Sequence, residues 1–290
     1  MIEKTFEIPG GLPGLPAHRL TYYEWAGPPR ASGSAPAVLC LHGLTRNGRD
    51  FDELAKALSA DYRVICPDIA GRGKSQWLDD PNSYAYPLYL SDMAVLVASL
   101  GLPRIDLVGT SMGGLIGMIW AAQPVNPIRR LVINDVGPLI AKQGLKRIRR
   151  YAGLDPSFKN LAALEAALRR AFASFGPLTD EVWKKMAEHS ARVKPDGKLG
   201  LAYDPKIAKP FMKGWFVRDI DLWQYYDAVS CPTLVLRGAE SDILRASDAR
   251  KMTQRGPRAK LIEYPGIGHA PSLTAPDQIK AVRDFLLDHA

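Results

Sequence analysis

Short apolar runs alternate with stretches of helical periodicity along the first half of the chain. Ala37–Leu41 is a run of small and branched apolar residues, which is typical of a buried parallel strand. In residues 51–58 the apolar positions recur three and four apart, which predicts an amphipathic helix. The alternation continues with predicted strands at 62–66, 104–108 and 130–133 and predicted helices at 89–100 and 115–122. This order predicts a mostly parallel sheet covered by helices on both faces.

The alternation is interrupted at Pro138 and resumes near residue 221. Between these points the chain shows helical patterns, at 161–175 and 180–193, without intervening strands. Strands at 233–236 and 260–264 follow, and two N-terminal segments, 5–8 and 19–25, add an antiparallel edge. We therefore expect an α/β core with an eight-stranded, mostly parallel sheet flanked by helices. The expected division is a core of residues 1–137 and 221–290, with 138–220 as a helical insertion between the sixth and seventh strands.

Composition agrees with a globular protein. The 290 residues are 47% hydrophobic and 23% charged. The longest apolar stretches, such as 93–100, are too short to span a bilayer, and the N-terminus lacks the basic start and apolar run of a secretory signal. We therefore expect a cytoplasmic protein without stable membrane insertion. Cys40, Cys66 and Cys231 form no C-x-x-C pair, and we expect them to be small buried hydrophobes.

The net charge of +8 is partly local. Five basic residues fall within Lys142–Arg150: Lys142, Lys146, Arg147, Arg149 and Arg150. Such a cluster can attract an acidic partner, but it is more often a solvated helix face, which is our prediction. No aromatic residues are interleaved with these charges as in single-strand nucleic-acid platforms, so we expect no nucleic-acid partner.

The main chemical signal is Gly109-Thr-Ser111-Met-Gly113, which follows a predicted strand and precedes a predicted helix. This is the context of a G-x-S-x-G turn, where a serine sits on strained backbone and small flanking residues let strand and helix pass closely. The serine hydroxyl is then exposed at the carboxyl end of the sheet, where ligands of open α/β folds bind. Ser111 is therefore the candidate nucleophile.

A serine nucleophile needs a histidine base and an acid that holds the imidazole. Of the histidines after Ser111, His269 lies in a glycine-rich loop just past the last predicted strand, whereas His189 falls in the insertion and His289 at the chain end. Asp242 follows the strand at 233–236 and is our first candidate for the acid. Two alternatives are Asp135, which ends the preceding strand, and Glu240.

His42-Gly43-Leu44 ends the third predicted strand. A turn of this kind can supply the backbone N–H of Leu44 to an oxyanion, and the second donor is then the N–H of Met112. We expect His42 to be a buried structural histidine, although a place in the substrate pocket stays open.

Near-matches to other sites fail: 68–75 ends in Gly-Lys-Ser but lacks the leading glycine of a P-loop, and no His/Cys/Asp group has zinc spacing. We predict neither cofactor nor metal.

The chain resembles the α/β-hydrolase superfamily. The motifs that carry the resemblance cover nearly the whole chain outside the insertion; they are Leu-His-Gly-Leu (41–44), Pro-Asp-Ile-Ala-Gly-Arg-Gly-Lys-Ser (67–75), Gly-Thr-Ser-Met-Gly-Gly (109–114), Arg-Gly-Ala-Glu-Ser-Asp (237–242) and Gly-His (268–269). The resemblance implies a catalytic triad, an oxyanion hole and a cap over the site. A serine rather than an aspartate nucleophile argues against haloalkane dehalogenases and epoxide hydrolases.

The resemblance implies a carboxylic ester hydrolase acting on a small-molecule ester through an acyl-enzyme. Apolar residues of the insertion, with Phe211 and Trp215 as candidate substrate contacts, predict a preference for short- to medium-chain or apolar acyl esters. Carbon–carbon hydrolases of ring-cleavage products resemble this chain too, but Thr110 replaces the asparagine that they often carry before the serine. A lactonase and a non-enzymatic ligand receptor on the same fold are the remaining alternatives.

Overall fold

An eight-stranded, mostly parallel sheet forms the centre of the computed structural model, which describes residues 1–10, 15–29, 35–209 and 219–288. The strands of this sheet are β1 (Ile2–Ile8), β2 (His18–Trp25), β3 (Ala37–Leu41), β4 (Arg63–Pro67), β5 (Ile105–Thr110), β6 (Ile128–Asn134), β11 (Thr233–Gly238) and β12 (Lys260–Tyr264). Shorter strands in the intervening segment are β7 (Leu139–Ile140), β8 (Ala191–Val193), β9 (Leu199–Leu201) and β10 (Ile220–Asp221). The predicted fold class is confirmed.

The strand order brings four carboxyl ends to one edge of the sheet. The order is β1-β2-β4-β3-β5-β6-β11-β12, in which β2 pairs antiparallel with both β1 and β4 and all other neighbouring strands pair parallel. In register, Leu41 lies opposite Gly109, and Asn134 lies opposite both Thr110 and Leu236. The loops that follow β3, β5, β6 and β11 therefore start side by side, which is where open α/β sheets place their sites.

Helices cover both faces of the sheet, as the alternation predicted. They are α1 (Asp52–Leu58), α2 (Tyr86–Ser99), α3 (Met112–Ala121), α4 (Lys142–Arg149), α5 (Leu161–Ala171), α6 (Asp180–Ser190), α7 (Trp223–Ala228), α8 (Ala246–Met252) and α9 (Pro276–Leu287). Successive residues of β3 point to opposite faces. Leu39 and Leu41 pack in the cluster with α2 and α3, whereas Val38 and Cys40 pack in the cluster with α1 and α9. No helix in the described ranges is long and apolar enough to cross a bilayer.

The segment between β6 and β11 contains more than the predicted helices. Besides α4, α5 and α6 it holds two short antiparallel pairs, β8 with β9 and β7 with β10. The expectation of helices without strands is therefore wrong, because strands of two or three residues are too short to show a period in the sequence. Helices α5 and α6 pack through Leu164, Leu168, Trp183 and Ala187. We call residues 138–220 the insertion.

Two smaller predictions concern the basic cluster and the cysteines. In α4 and just after it, Lys142, Lys146, Arg149 and Arg150 are exposed while Leu145 is buried, as expected of a solvated helix face. Cys40 and Cys66 are buried free thiols, but Cys231 is only half-buried. The prediction of burial is thus confirmed for two of the three cysteines.

Candidate active site

Ser111 occupies a strained turn between β5 and α3. Its backbone has φ of 53° and ψ of −114°, a conformation that L-residues rarely adopt. The flanking glycines are required sterically. A Cβ on Gly109 would lie 2.4 Å from the carbonyl carbon of Gly113, and a Cβ on Gly113 would lie 2.0 Å from the Leu41 carbonyl oxygen. The G-x-S-x-G pattern therefore reflects the close passage of strand and helix that the sequence predicted.

Ser111, His269 and Asp135 form a continuous hydrogen-bonded chain. The Ser111 hydroxyl lies 2.9 Å from Nε2 of His269, and Nδ1 of His269 lies 2.7 Å from Oδ2 of Asp135. Since a carboxylate can only accept, Nδ1 carries the proton, and Nε2 is left to accept from the serine. This tautomer lets an imidazole act as a general base toward a hydroxyl.

Asp135 is buried and surrounded by donors. Its side chain is fully enclosed, its Oδ1 accepts the N–H of Gly238 at 2.9 Å, and its Oδ2 accepts the Ser241 hydroxyl at 2.6 Å as well as His269. Three donors therefore converge on the two oxygens of this buried carboxyl group and fix its orientation. Gly238 ends β11 and Ser241 lies in the loop that follows it, whereas Asp135 follows β6. The carboxylate and the groups that hold it therefore come from the ends of two neighbouring strands.

The turn after β3 brings its backbone to Ser111. A Cβ placed on Gly43 would lie 3.8 Å from the Ser111 Cβ. Met112 is the first residue of α3, where backbone N–H groups have no partner within the helix. Toward the described residues, neither the Leu44 N–H nor the Met112 N–H donates a hydrogen bond. The two predicted oxyanion donors therefore have no hydrogen-bond acceptor among the described residues; one follows Gly43, which approaches Ser111, and the other follows Ser111 itself.

The His42 side chain supports this turn from inside the protein. Nδ1 donates to the Gly43 carbonyl at 2.7 Å, and Nε2 accepts the Ile69 N–H at 2.9 Å. Complete burial lowers the pKa of His42 to about 3, so the ring is neutral. Because the Gly43 carbonyl and the Leu44 N–H belong to one planar peptide, the His42 bond also sets the direction of the Leu44 donor. The His42 ring is buried, as expected, and His42 is also among the residues that line the cavity described next.

A cavity of about 350 Å³ opens above Ser111 and His269. Its apolar walls come largely from the insertion and include Leu168, Phe172, Phe175, Met186 and Tyr203. Polar residues also line the cavity, among them Arg46 and Asp50, which form an ion pair, Lys185 and His189. The predicted substrate contacts Phe211 and Trp215 lie outside the described residues. A mostly apolar cavity with a few polar groups is typical of small-molecule sites.

The comparisons with known proteins place this geometry in a family. The sequence model of the alpha/beta hydrolase fold matches residues 36–276. The chain belongs to the alpha/beta-hydrolase fold family. A hydrolase enzyme is the assignment that this membership and the relatives below support.

Several relatives of this hydrolase match it over nearly its full length. The chain is 45% identical over 287 residues to a 3-hydroxybutyrate-oligomer hydrolase of Cupriavidus necator, covering 96% of this chain and 94% of that protein. It is 28% identical over 260 residues to a 2-(acetamidomethylene)succinate hydrolase of Mesorhizobium japonicum, covering 89% and 90%. Among solved structures, a putative hydrolase from Rickettsia typhi superposes over 100% of both chains with a TM-score of 0.91 at 32% identity.

Within the hydrolase core, the acid beside His269 is Asp135 and not Asp242. The single hydrogen on Nδ1 is taken by Asp135, while Asp242 is exposed in the loop after β11. The prediction of Asp242 is therefore wrong for this contact, and the alternative Asp135 is the residue observed. The physical reason is that β6 and β11 are neighbours, so either strand end can present a carboxylate to His269. The β11 loop here contributes Ser241 and Gly238 as donors instead of the acid.

The hydrolase also ties its histidine loop to the insertion. The Gly268 N–H donates to the Ser174 carbonyl at 2.7 Å, and the Ser174 hydroxyl lies 3.3 Å from the His269 carbonyl. The adjacent Phe172 and Phe175 rings lie 4.7 Å apart and line the cavity. The wall of the cavity and the loop that carries the imidazole are thus joined by hydrogen bonds. The sequence contained no signal for this contact.

The Gly-Lys-Ser segment has a structural explanation. Asp68 is buried, and its carboxylate accepts the N–H groups of Gly48 and Lys74, while the Ser75 hydroxyl donates to the Asp68 carbonyl. A Cβ on Gly73 would lie 2.1 Å from the Asp68 carboxylate, which explains the glycine. Among the described residues no group of three or more His, Cys, Asp or Glu side chains could hold a metal ion.

Proposed function

We propose that this hydrolase cleaves carboxylic esters with Ser111 as nucleophile, His269 as general base and Asp135 as the acid that holds the imidazole. The observation that carries the proposal is the chain from the Ser111 hydroxyl through His269 to Asp135, with spacings of 2.9 and 2.7 Å, at the base of the cavity. The strained turn at Ser111 supports it, since strain of this kind concentrates at functional residues.

The proposed reaction has two halves, acylation of Ser111 and hydrolysis of the acyl-enzyme, and the same residues act in both. Ser111 attacks the ester carbonyl while Nε2 of His269 takes its proton, and Asp135 stabilises the imidazolium that forms. The negative charge on the carbonyl oxygen is received by the N–H groups of Leu44 and Met112. The intermediate collapses to an acyl-enzyme, and His269 returns the proton to the leaving alcohol. Water then attacks the acyl-enzyme, with His269 again as base, and releases the acid.

We propose short hydroxyacyl esters, and in particular oligomers of 3-hydroxybutyrate, as the substrates. The support is the relative that is 45% identical and bears this substrate in its name. The cavity agrees with the proposal. Its volume of about 350 Å³ is at the small end of the ~300–1,000 Å³ typical of ligand pockets, and a mostly apolar lining with several polar groups suits a chain of methyl-bearing units linked by polar esters.

The nucleophile is tested by labelling with a fluorophosphonate probe. Wild type and Ser99→Ala, a control at a serine exposed on α2, are expected to be labelled equally, and Ser111→Ala is expected to be inert. An unreactive wild type, or labelling that survives in Ser111→Ala, would refute the assignment and favour a ligand receptor.

The substrate class is tested on the purified wild type with p-nitrophenyl acetate, butyrate and octanoate, 3-hydroxybutyrate dimer and trimer, a lactone and a vinylogous diketone. We expect kcat/KM to be highest for the hydroxybutyrate oligomers and to fall from butyrate to octanoate. A preference for the diketone or the lactone would instead support the carbon–carbon hydrolase or lactonase alternatives.

A further inference from the structure

Arg72 places a guanidinium inside the protein without a counter-ion. The side chain is completely buried in the turn between Gly71 and Gly73. All 30 Asp and Glu residues of the chain lie in the ranges that the structure describes, and none of their carboxylates forms an ion pair with Arg72 within 4.0 Å. A buried charge without a partner is costly, so a protein retains one where the charge has a use.

The contacts of Arg72 lead to both proposed oxyanion donors. Nε donates to the Leu44 carbonyl at 2.9 Å, and Nη2 lies 3.6 Å from the sulfur of Met112. Nη1 donates to the Ala70 carbonyl at 2.7 Å and to the Tyr89 hydroxyl at 2.9 Å. The guanidinium therefore touches the two residues whose N–H groups flank Ser111, through neutral acceptors that leave its charge unneutralised.

Neighbouring groups hold Arg72 in place from the other side. The rings of Tyr84 and Tyr89 lie 5.6 and 5.1 Å from the guanidinium carbon, within the range of cation–π attraction. The turn itself is paired to the insertion, since the Gly73 N–H donates to the Ala202 carbonyl and the Asp204 N–H to the Gly71 carbonyl. The charge of Arg72 is also one of the causes that lower the pKa of His42, so its field reaches the turn that carries Leu44.

We propose that Arg72 is a positioning residue for the oxyanion hole and that its unneutralised charge stabilises the negative oxygen formed during ester cleavage. By holding the Leu44 carbonyl and the Met112 side chain, Arg72 fixes the backbone on both sides of the nucleophile. Its positive charge, shielded from water, adds to the field of the two N–H donors where charge develops. This inference rests on the proposed function, because it assigns a role to Arg72 in that same reaction.

The inference predicts a loss in kcat with little change in KM. Removing one direct oxyanion donor costs about 100-fold or more, so an indirect but charged support is expected to cost about 10- to 100-fold. For Arg72→Met, a neutral chain of similar shape, we expect kcat on p-nitrophenyl butyrate to fall by this factor while KM stays within about threefold. Affinity for a boronic acid that mimics the tetrahedral intermediate should fall by the same factor as kcat.

Two further variants separate this role from a structural one. Arg72→Lys keeps the charge and is expected to recover at least half of the lost activity on a logarithmic scale. Tyr62→Phe removes a buried hydrogen bond to the Leu286 carbonyl away from the cavity, and it is expected to lower the melting temperature while leaving kcat and boronate affinity unchanged. If Arg72→Met does not fold, the test uses Arg72→Lys instead. Its kcat and its boronate affinity are then expected to fall by the same factor, which is smaller than that expected for Arg72→Met.

The inference is overturned if folded Arg72→Met keeps kcat within twofold of wild type, if the loss appears in KM alone, or if boronate affinity is unchanged while kcat falls. It is also overturned if Arg72→Lys matches wild type in both measurements when Arg72→Met is unfolded, since a single ammonium cannot reproduce the guanidinium contacts. Failure of the proposed function gives a different result, because the wild type itself would then not react with the fluorophosphonate.

Discussion

Replacing Asp135 by Asn is expected to remove most of the activity while Asp242→Asn leaves it nearly intact. The reason follows from the donors around Asp135. Its two oxygens accept from Gly238 N–H, the Ser241 hydroxyl and Nδ1 of His269, whereas an amide offers only one oxygen. If that oxygen keeps the backbone bond to Gly238, the NH₂ group faces His269.

An NH₂ group at this position forces the imidazole into the other tautomer. Nδ1 must then accept, and the proton moves to Nε2, which lies 2.9 Å from the Ser111 oxygen. A protonated Nε2 cannot take the serine proton. In serine proteases the same change costs about 10⁴-fold in kcat. We therefore expect a loss of about 10³- to 10⁴-fold, which corresponds to ~4–5.5 kcal/mol of transition-state stabilisation.

The assay is kcat and KM on p-nitrophenyl butyrate for wild type, Asp135→Asn and Asp242→Asn, with thermal unfolding to show that each is folded. Asp242 is exposed, so its neutral variant is the matched control and is expected to stay within about twofold of wild type. A folded Asp135→Asn that keeps more than a tenth of the wild-type kcat would refute the reasoning, as would a larger loss in Asp242→Asn.

Two other predictions concern the turns around Ser111. Gly113→Ala is expected to abolish phosphonate labelling or folding, because its Cβ would lie 2.0 Å from the Leu41 carbonyl oxygen; a labelled, wild-type-like variant contradicts this. Burial lowers the pKa of His42 to about 3 from an unfolded value near 6.5, so the neutral ring stabilises the fold fully above pH 6.5 and progressively less as the pH falls toward 3. Urea unfolding is therefore expected to show an extra loss of up to ~1.4 kcal/mol per pH unit below 6.5 in wild type relative to His42→Asn, and equal slopes would contradict the assignment.

The sheet and the strained turn at Ser111 were predictable because their signals are local. The alternation of strands and helices extends over many residues. The glycines around Ser111 are required because a Cβ there would clash with backbone atoms close by. His269 could be chosen because its loop follows the last strand. In each case the sequence neighbours are also the spatial neighbours.

The acid and Arg72 were harder for the opposite reason. The ends of β6 and β11 are adjacent only in the folded sheet, and Asp135 faces His269 through a turn with φ of 57° that no pattern announces. A charged residue in a glycine-rich turn is normally predicted to be exposed, yet Arg72 is buried by contacts from Leu44, Tyr89 and the insertion. Long-range packing, rather than local propensity, decides both positions.

The bonds between Ser174 and the loop of His269 bear on how enzymes of this shape diversify. Exchanging the insertion for that of a relative would change the walls of the cavity. It would also change the hydrogen bonds that hold the loop carrying the His269 imidazole. We therefore expect changes in the insertion to alter substrate preference and turnover together. A chimera that transplants the insertion needs a compatible 265–270 loop from the same donor to remain an efficient catalyst.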